Sequence, residues 1–101
     1  MPIYMVERVL PGATLRSLEA IRRAAGEACQ ASTMSGRSIR YLRSTFTPGE
    51  SRCRCLFEAA GADLVREVNE VAELPYSRIV LALDLDGGQL SATPVTDKTD
   101  P

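Results

Sequence analysis

One hundred and one residues, 45% of them apolar, suffice for one domain with a thin core. Twelve Lys and Arg against thirteen Asp and Glu leave a net charge of −1, which excludes a global basic field for nucleic acid and an acidic tract for a basic partner. Histidine is absent, so the commonest general base and the commonest transition-metal ligand are missing together.

Met1-Pro2-Ile3-Tyr4 leads into a strand rather than a signal core. No apolar run approaches the ~20 residues of a membrane helix. A cytoplasmic location without a membrane partner is the expectation. Cys29, Cys53 and Cys55 are an odd number, and a bridge between the two on one strand would be strained, so reduced thiols are expected.

In chain order, Ile3 to Val9 reads as a strand rich in β-branched and aromatic residues, stopped by Pro11-Gly12. Thr14 then caps a helix whose stripe is Leu15, Leu18, Ile21, Ala25 and Ala28 or Cys29. Glu19/Arg23 and Arg23/Glu27 lie on its solvent side, and it ends near Met34. A hairpin follows from Ile39 to Glu58, folded at Thr47-Pro48-Gly49-Glu50, where proline presets one φ and glycine supplies the positive one. With Thr47 opposite Glu50, the pairs Ser44/Cys53, Leu42/Cys55 and Arg40/Phe57 share a core face. The pairs Thr45/Arg52, Arg43/Arg54, Tyr41/Leu56 and Ile39/Glu58 share the other. Asp63 caps a second helix with the stripe Leu64, Val68 and Val71, ended by Pro75. Tyr76 to Leu85 is the last strand, and Ile79-Val80-Leu81-Ala82-Leu83 is dense enough to suggest burial on both faces.

Strand, helix, strand, strand, helix, strand is the ferredoxin-like split unit, an α+β sandwich. The right-handed crossover rule gives an antiparallel sheet of order 4-1-3-2 with both helices on one face. The domain is expected over residues 1–86, with 87–101 a flexible polar tail of Gly, Ser, Thr, Pro and Asp. Because the second sheet face carries apolar side chains and no helix, a homodimer is expected, sheet on sheet or through an edge strand.

Cys53-Arg54-Cys55 puts two sulfurs on one face of a strand, roughly 6–7 Å apart, close enough to share a soft metal after small adjustment. The same face carries Phe57, so the two thiols also read as small apolar core fillers. The open face gathers Tyr41, Arg43, Arg52, Arg54 and Glu58, with Glu7 or Arg8 arriving from the first strand, whose phase the sequence leaves open. Arg43 opposite Arg54 requires something negative between them: an acid of this chain, a partner's acid, or a small carboxylate or phosphate held by the guanidinium fork. No nucleophile has an activating base, no glycine-rich loop opens a helix, and Arg54 and Leu56 stand where an RNA-binding sheet would need aromatics. Neither an enzyme nor a nucleic-acid partner is indicated.

At Tyr4-Met5-Val6-Glu7-Arg8-Val9-Leu10-Pro11-Gly12, Arg40-Tyr41-Leu42-Arg43-Ser44, Cys55-Leu56-Phe57-Glu58-Ala59 and Val65-Arg66-Glu67, the chain resembles a small family of uncharacterised single-domain proteins, some of which bind nickel. The resemblance covers roughly residues 2–85. It implies a ferredoxin-like sandwich that dimerises, with nickel near the subunit interface in the metal-binding members. Those members carry an Asp-x-His pair in the first strand and a histidine in the second helix. The matching positions here are Val6, Arg8 and Val68, which cannot bind a metal, and only Cys55 matches a potential ligand.

Two functions follow as expectations. One is a non-enzymatic homodimeric module without a cofactor, whose open face uses Glu7, Tyr41, Arg43, Arg54 and Glu58 to bind a small anionic or amphiphilic ligand or the partner subunit. The alternative is a protein that binds nickel or another soft transition metal through Cys53, Cys55 and a carboxylate.

Overall fold

In the computed structural model, residues 1–85 are described, and the tail assigned to 87–101 lies outside the described residues. The chain forms β1 (Ile3–Val9), α1 (Leu15–Met34), β2 (Ile39–Thr47), a 3-10 turn (Pro48–Glu50), β3 (Arg52–Ala59), α2 (Ala62–Val71) and β4 (Arg78–Ala82). The antiparallel sheet runs β2-β3-β1-β4, which is the expected 4-1-3-2 read from the other edge, so the ferredoxin-like topology holds.

Local signals fix α1 closely. Thr14 Oγ1 accepts from the Ser17 amide at 3.1 Å and Ser17 Oγ accepts from the Thr14 amide at 2.8 Å, a reciprocal cap at the predicted start. Gly36, with φ 97°, turns the chain away just beyond the far end. The apolar stripe is only partly used: Ala25 and Cys29 are buried, whereas Leu15 is 87% exposed. The surface ion pair joins Glu19 to Arg22 rather than to Arg23.

The second helix begins one residue ahead of the expected cap. Gly61 is its N-cap, and Asp63 sits in the first turn on Arg66. Its buried face is Val65, Val68 and Asn69, while Val71 points to water. Glu73 in a left-handed conformation, φ 58°, stops the helix before Pro75 is reached. The last strand is shorter than expected and, among the described residues, pairs only with β1, so one side of its ladder has no partner among them. Leu81 is therefore 69% exposed, and burial on both faces is not realised.

The hairpin departs from its expected register in two places. The connection takes four residues, with Ser51 rather than Gly49 in the left-handed conformation (φ 52°), so Thr47 faces Arg52 and every pair near the turn slides by two. A slide of two preserves parity: Ser44 and Phe46 share a face with Cys55 and Cys53. Further along, Arg43 faces Leu56 but Tyr41 faces Phe57, leaving Leu42 as a bulge. One extra residue inverts everything beyond it. Tyr41 and Ile39 turn to the core face and Arg40 turns out to meet Glu58, the reverse of the expected assignment. The inversion buries Ile39 and sets the Tyr41 ring 5.4 Å from that of Phe57.

In β1, Tyr4, Val6 and Arg8 take the core side, and Ile3, Met5 and Glu7 the other. The core lies between the sheet and both helices, built on Val6, Ile39, Cys53, Cys55 and Phe57 against Ala25, Cys29, Val65 and Val68.

Candidate functional site

The uncovered face is built in rows, because directly opposed residues of antiparallel strands project together. Arg43, Leu56, Met5 and Val80 form one row; Arg40, Glu58, Ile3 and Ala82 the next; Thr45, Arg54, Glu7 and Arg78 a third. Ile3, Met5, Leu56, Val80 and Ala82 are half-buried and adjacent, a continuous apolar strip with charges on its flanks.

Glu7 organises one flank. Its carboxylate is 2.9 Å from Arg78 Nε, 3.3 Å from Arg54 Nε and 3.5 Å from an Arg52 terminal nitrogen, and only 4% of the residue is exposed. Burial works against its charge. The hydrogen bond from Arg78 and the charges of Arg78, Arg52 and Arg54 outweigh that and hold the carboxyl below its ordinary range. On this flank Arg52, Arg54 and Arg78 are thus met by this chain's own glutamate.

The expected ligand-binding residues do not all assemble. Glu7 and Arg54 meet, with Glu50 also on Arg54 at 3.7 Å. Arg43 instead pairs with Asp84, and Glu58 with Arg40 at 3.0 Å. The predicted Arg43/Arg54 opposition does not exist, since Thr45 faces Arg54, and Tyr41 is on the other side of the sheet. Arg78 was missed because nothing short of the β4 register brings it opposite Glu7.

The inner face holds the less expected constellation. Arg8 is fully buried, and among the described residues it makes no ion pair with a carboxylate. Its guanidinium donates to Asn69 Oδ1 at 2.7 Å, to the Pro75 carbonyl at 3.0 Å and, through Nε, to Cys55 Sγ at 3.4 Å. Asn69 is fixed in turn by its Nδ2, which donates to the Val65 carbonyl at 2.8 Å. The Cys55 sulfur also accepts from Ser44 Oγ at 2.9 Å and lies 3.7 Å from Cys53 Sγ, and the Ser44 hydroxyl is linked to the Tyr41 phenol. Cys53 and Cys55 face inward, as the sequence indicated.

A guanidinium cannot discharge by losing its proton, so its buried charge must be met by its surroundings. Cys55 meets it. The hydrogen bond from Cys53 is the largest influence holding the Cys55 thiol below its ordinary value; burial opposes this, and the Arg8 charge and the Ser44 hydroxyl add to it. Cys53 is pushed up for the matching reason, foremost because it supplies that hydrogen bond. The two thiols thus shift in opposite directions because one donates a hydrogen bond to the other. Cys29 has no such support, and burial alone lifts it to about 11. The alternation Tyr4, Val6, Arg8 was the one sequence signal for Arg8, but the competing phase Ile3, Met5, Glu7 masked it. Asn69 gave no signal at all.

The architecture and the two faces define a small ferredoxin-like α+β protein with a covered thiol layer and a partly apolar sheet face that no helix among the described residues covers. The chain belongs to the SCO4226-like family, described as "Nickel responsive protein SCO4226-like", whose model matches residues 4–81. The crystal structure of SCO4226 from Streptomyces coelicolor A3(2) superposes with a TM-score of 0.63 at 21% identity, over 84% of this chain and 99% of that one. At that identity the likeness concerns the fold. No curated protein matches the sequence.

Nickel prefers imidazole, thiolate and carboxylate donors gathered around one point. Among the described residues no three of Cys, Asp and Glu are so gathered. The positions matched by resemblance, Val6, Arg8, Cys55 and Val68, all fall in the buried layer, where Arg8 sets a fixed positive charge against the one sulfur a metal would use. Glu7 projects from the opposite face and is held by three arginines. The residues present do not fit the ion.

Proposed function

We propose that this protein is a non-enzymatic interaction module that works as a homodimer, two copies meeting through their uncovered sheet faces. The reading rests on the strip Ile3, Met5, Leu56, Val80 and Ala82, continuous across three strands on a face that no described helix covers. In so small a domain such a strip marks a partner surface. A second copy suits it better than a small anion. Arg54 is held by Glu7 and Glu50 and Arg43 by Asp84, so an anionic ligand would first have to displace a carboxylate. Both flanks carry charges of both signs, which lets an identical face approach without net repulsion.

Light scattering on the eluting full chain tests this: a mass twice the chain's 11.0 kDa is expected. Leu56→Glu is expected to give the monomer mass with the helix and sheet spectrum retained. A wild-type monomer at the highest soluble concentration overturns the reading. The family description is compatible with the alternative of a nickel or other soft-metal protein, although Cys53 and Cys55 have no carboxylate gathered with them among the described residues. A stoichiometric ion in untagged protein, found by elemental analysis, would favour that alternative.

A further inference from the structure

The inner face holds chemistry that dimerisation leaves unused. Two sulfurs stand 3.7 Å apart on one strand, and one of them is contacted by a buried guanidinium. Burying an unpaired cation costs several kcal/mol, so a neighbour able to ionise does so. The one ionisable side chain hydrogen-bonded to Arg8 among the described residues is the Cys55 thiol, with Cys53 directly opposite Arg8 on the neighbouring strand; the other hydrogen-bond partners of Arg8 are an amide and a carbonyl.

The pair is not sealed. A cavity of about 220 Å³ lies between the first half of α1 and the end of β2, lined by Leu15, Leu18, Ile21 and Phe46 and reaching both Ser44 and Cys53. Ser44 is exposed, yet its hydroxyl is 2.9 Å from Cys55 Sγ, so the sulfur lies one hydroxyl from water. The cavity reaches Cys53 directly, whereas Ser44 Oγ stands between it and the fully buried Cys55 sulfur, so a small molecule meets Cys55 only where that hydroxyl turns aside.

We propose that Cys55 and Cys53 form a hydroperoxide-reactive dithiol, with Cys55 set against Arg8 and approached past the Ser44 hydroxyl from the cavity that Ser44 and Cys53 line between α1 and β2. The Cys55 thiolate attacks the terminal peroxide oxygen. The O–O bond breaks, an S–O bond forms, and the departing alkoxide or hydroxide takes a proton from water or the Ser44–Tyr41 hydroxyls. Cys55 is then a sulfenic acid, oxidised by two electrons, and the peroxide is reduced to an alcohol or water. The Cys53 sulfur attacks the Cys55 sulfur, the S–O bond breaks, and the Cys53 proton leaves with the hydroxyl as water. Two thiols and one hydroperoxide thus give one disulfide, one alcohol and one water. A bridge between residues two apart on a strand is strained, and strained disulfides are readily reduced, which makes the step reversible by an ordinary thiol. A soft metal cation is the poorer occupant, because Arg8 already supplies positive charge at the sulfur.

The test treats the reduced full chain with hydrogen peroxide under native conditions and maps products by mass spectrometry. The expected products are a Cys53–Cys55 disulfide in the wild type, a sulfenic acid on Cys55 in Cys53→Ser, an unreacted Cys53 in Cys55→Ser, and an unmodified Cys29 in all three. The rate is expected to rise about tenfold from pH 5 to 7 and then level, whereas an ordinary thiol would rise about a hundredfold and keep rising. Folding of the variants is checked by circular dichroism, and the wild-type pH profile decides the matter even where a variant fails to fold. Unmodified Cys53 and Cys55 at peroxide levels that oxidise free cysteine would overturn the proposal. So would an ordinary-thiol profile, or equal reactivity of Cys53 without Cys55.

Discussion

Replacing Arg8 by methionine keeps the length of an apolar stem and removes the guanidinium. One buried acceptor, Asn69 Oδ1, and one part-buried one, the Pro75 carbonyl, then lose donors that now stand 2.7 and 3.0 Å away. An unpaired buried acceptor costs roughly 1–3 kcal/mol, and the carbonyl, which water can reach, adds less. Removing a buried charge recovers part of the desolvation, which places the net loss for Arg8→Met at about 1–3 kcal/mol. For a chain of this size that is about 5–20 °C in Tm. The second substitution, Asn69→Leu, should expose the asymmetry. Made alone it takes from the guanidinium the nearest of its three acceptors; made on top of Arg8→Met it removes an acceptor that is already unpaired. The Val65 carbonyl loses the Asn69 amide either way but keeps its main-chain donor within α2. The double variant is therefore expected to be at least ~1 kcal/mol more stable than the sum of the two singles. Urea unfolding followed by circular dichroism measures all four proteins, with the slope checked for constancy. A change below ~0.5 kcal/mol for Arg8→Met, or additivity in the cycle, would show that the buried guanidinium does not organise this layer.

Stability should depend on pH through the thiols. Cys55 titrates lower in the folded chain, about 6 against an ordinary 9.0, so its contribution is complete above 9.0 and is lost as pH falls through 6. Cys29 and Cys53 are raised, so the unfolded chain releases their protons more easily and stability declines once pH passes 9.0. A urea midpoint that rises from pH 6 to about 8, falls beyond 9, and loses the rise in Cys55→Ser is expected; a flat profile refutes the thiolate assignment. At the hairpin, Ser51 holds a left-handed conformation that glycine adopts freely. Ser51→Gly is expected to raise stability by up to about 1 kcal/mol in thermal unfolding, and a lowered Tm would contradict the turn geometry.

Residues that act locally were legible. The Thr14 cap and the glycine after Met34 bound α1 by contacts within a few residues of its ends, and the hairpin parity near the turn put Cys53 and Cys55 inward even though the register slid by two. Legibility stopped at Leu42. The expected parity would have left Ile39 facing water and Arg40 facing the core, and a single bulged residue resolves the conflict at the cost of one pairing. Tyr41 moved with Ile39, so the open face lost its expected aromatic floor. Glu7 was identified as a candidate acid, but two of its three arginines, Arg52 and Arg78, were not assigned to it, because their approach depends on how β1 registers with β3 and β4.

Alternating and helical periodicity, a cap, and a proline-led turn determined on their own the element order, the sheet topology and the inward thiols, because each follows from steric and burial preferences acting over a few neighbours. What set a guanidinium against a core-filling cysteine was decided elsewhere. Arg8 lies more than sixty residues from Asn69 and Pro75 in sequence, and it meets them and the Cys55 sulfur only because β1 lies between β3 and β4 beneath α2. Charge compensation in a low-dielectric layer depends on distances of a few ångströms across strands, and no pattern along the chain carries those distances.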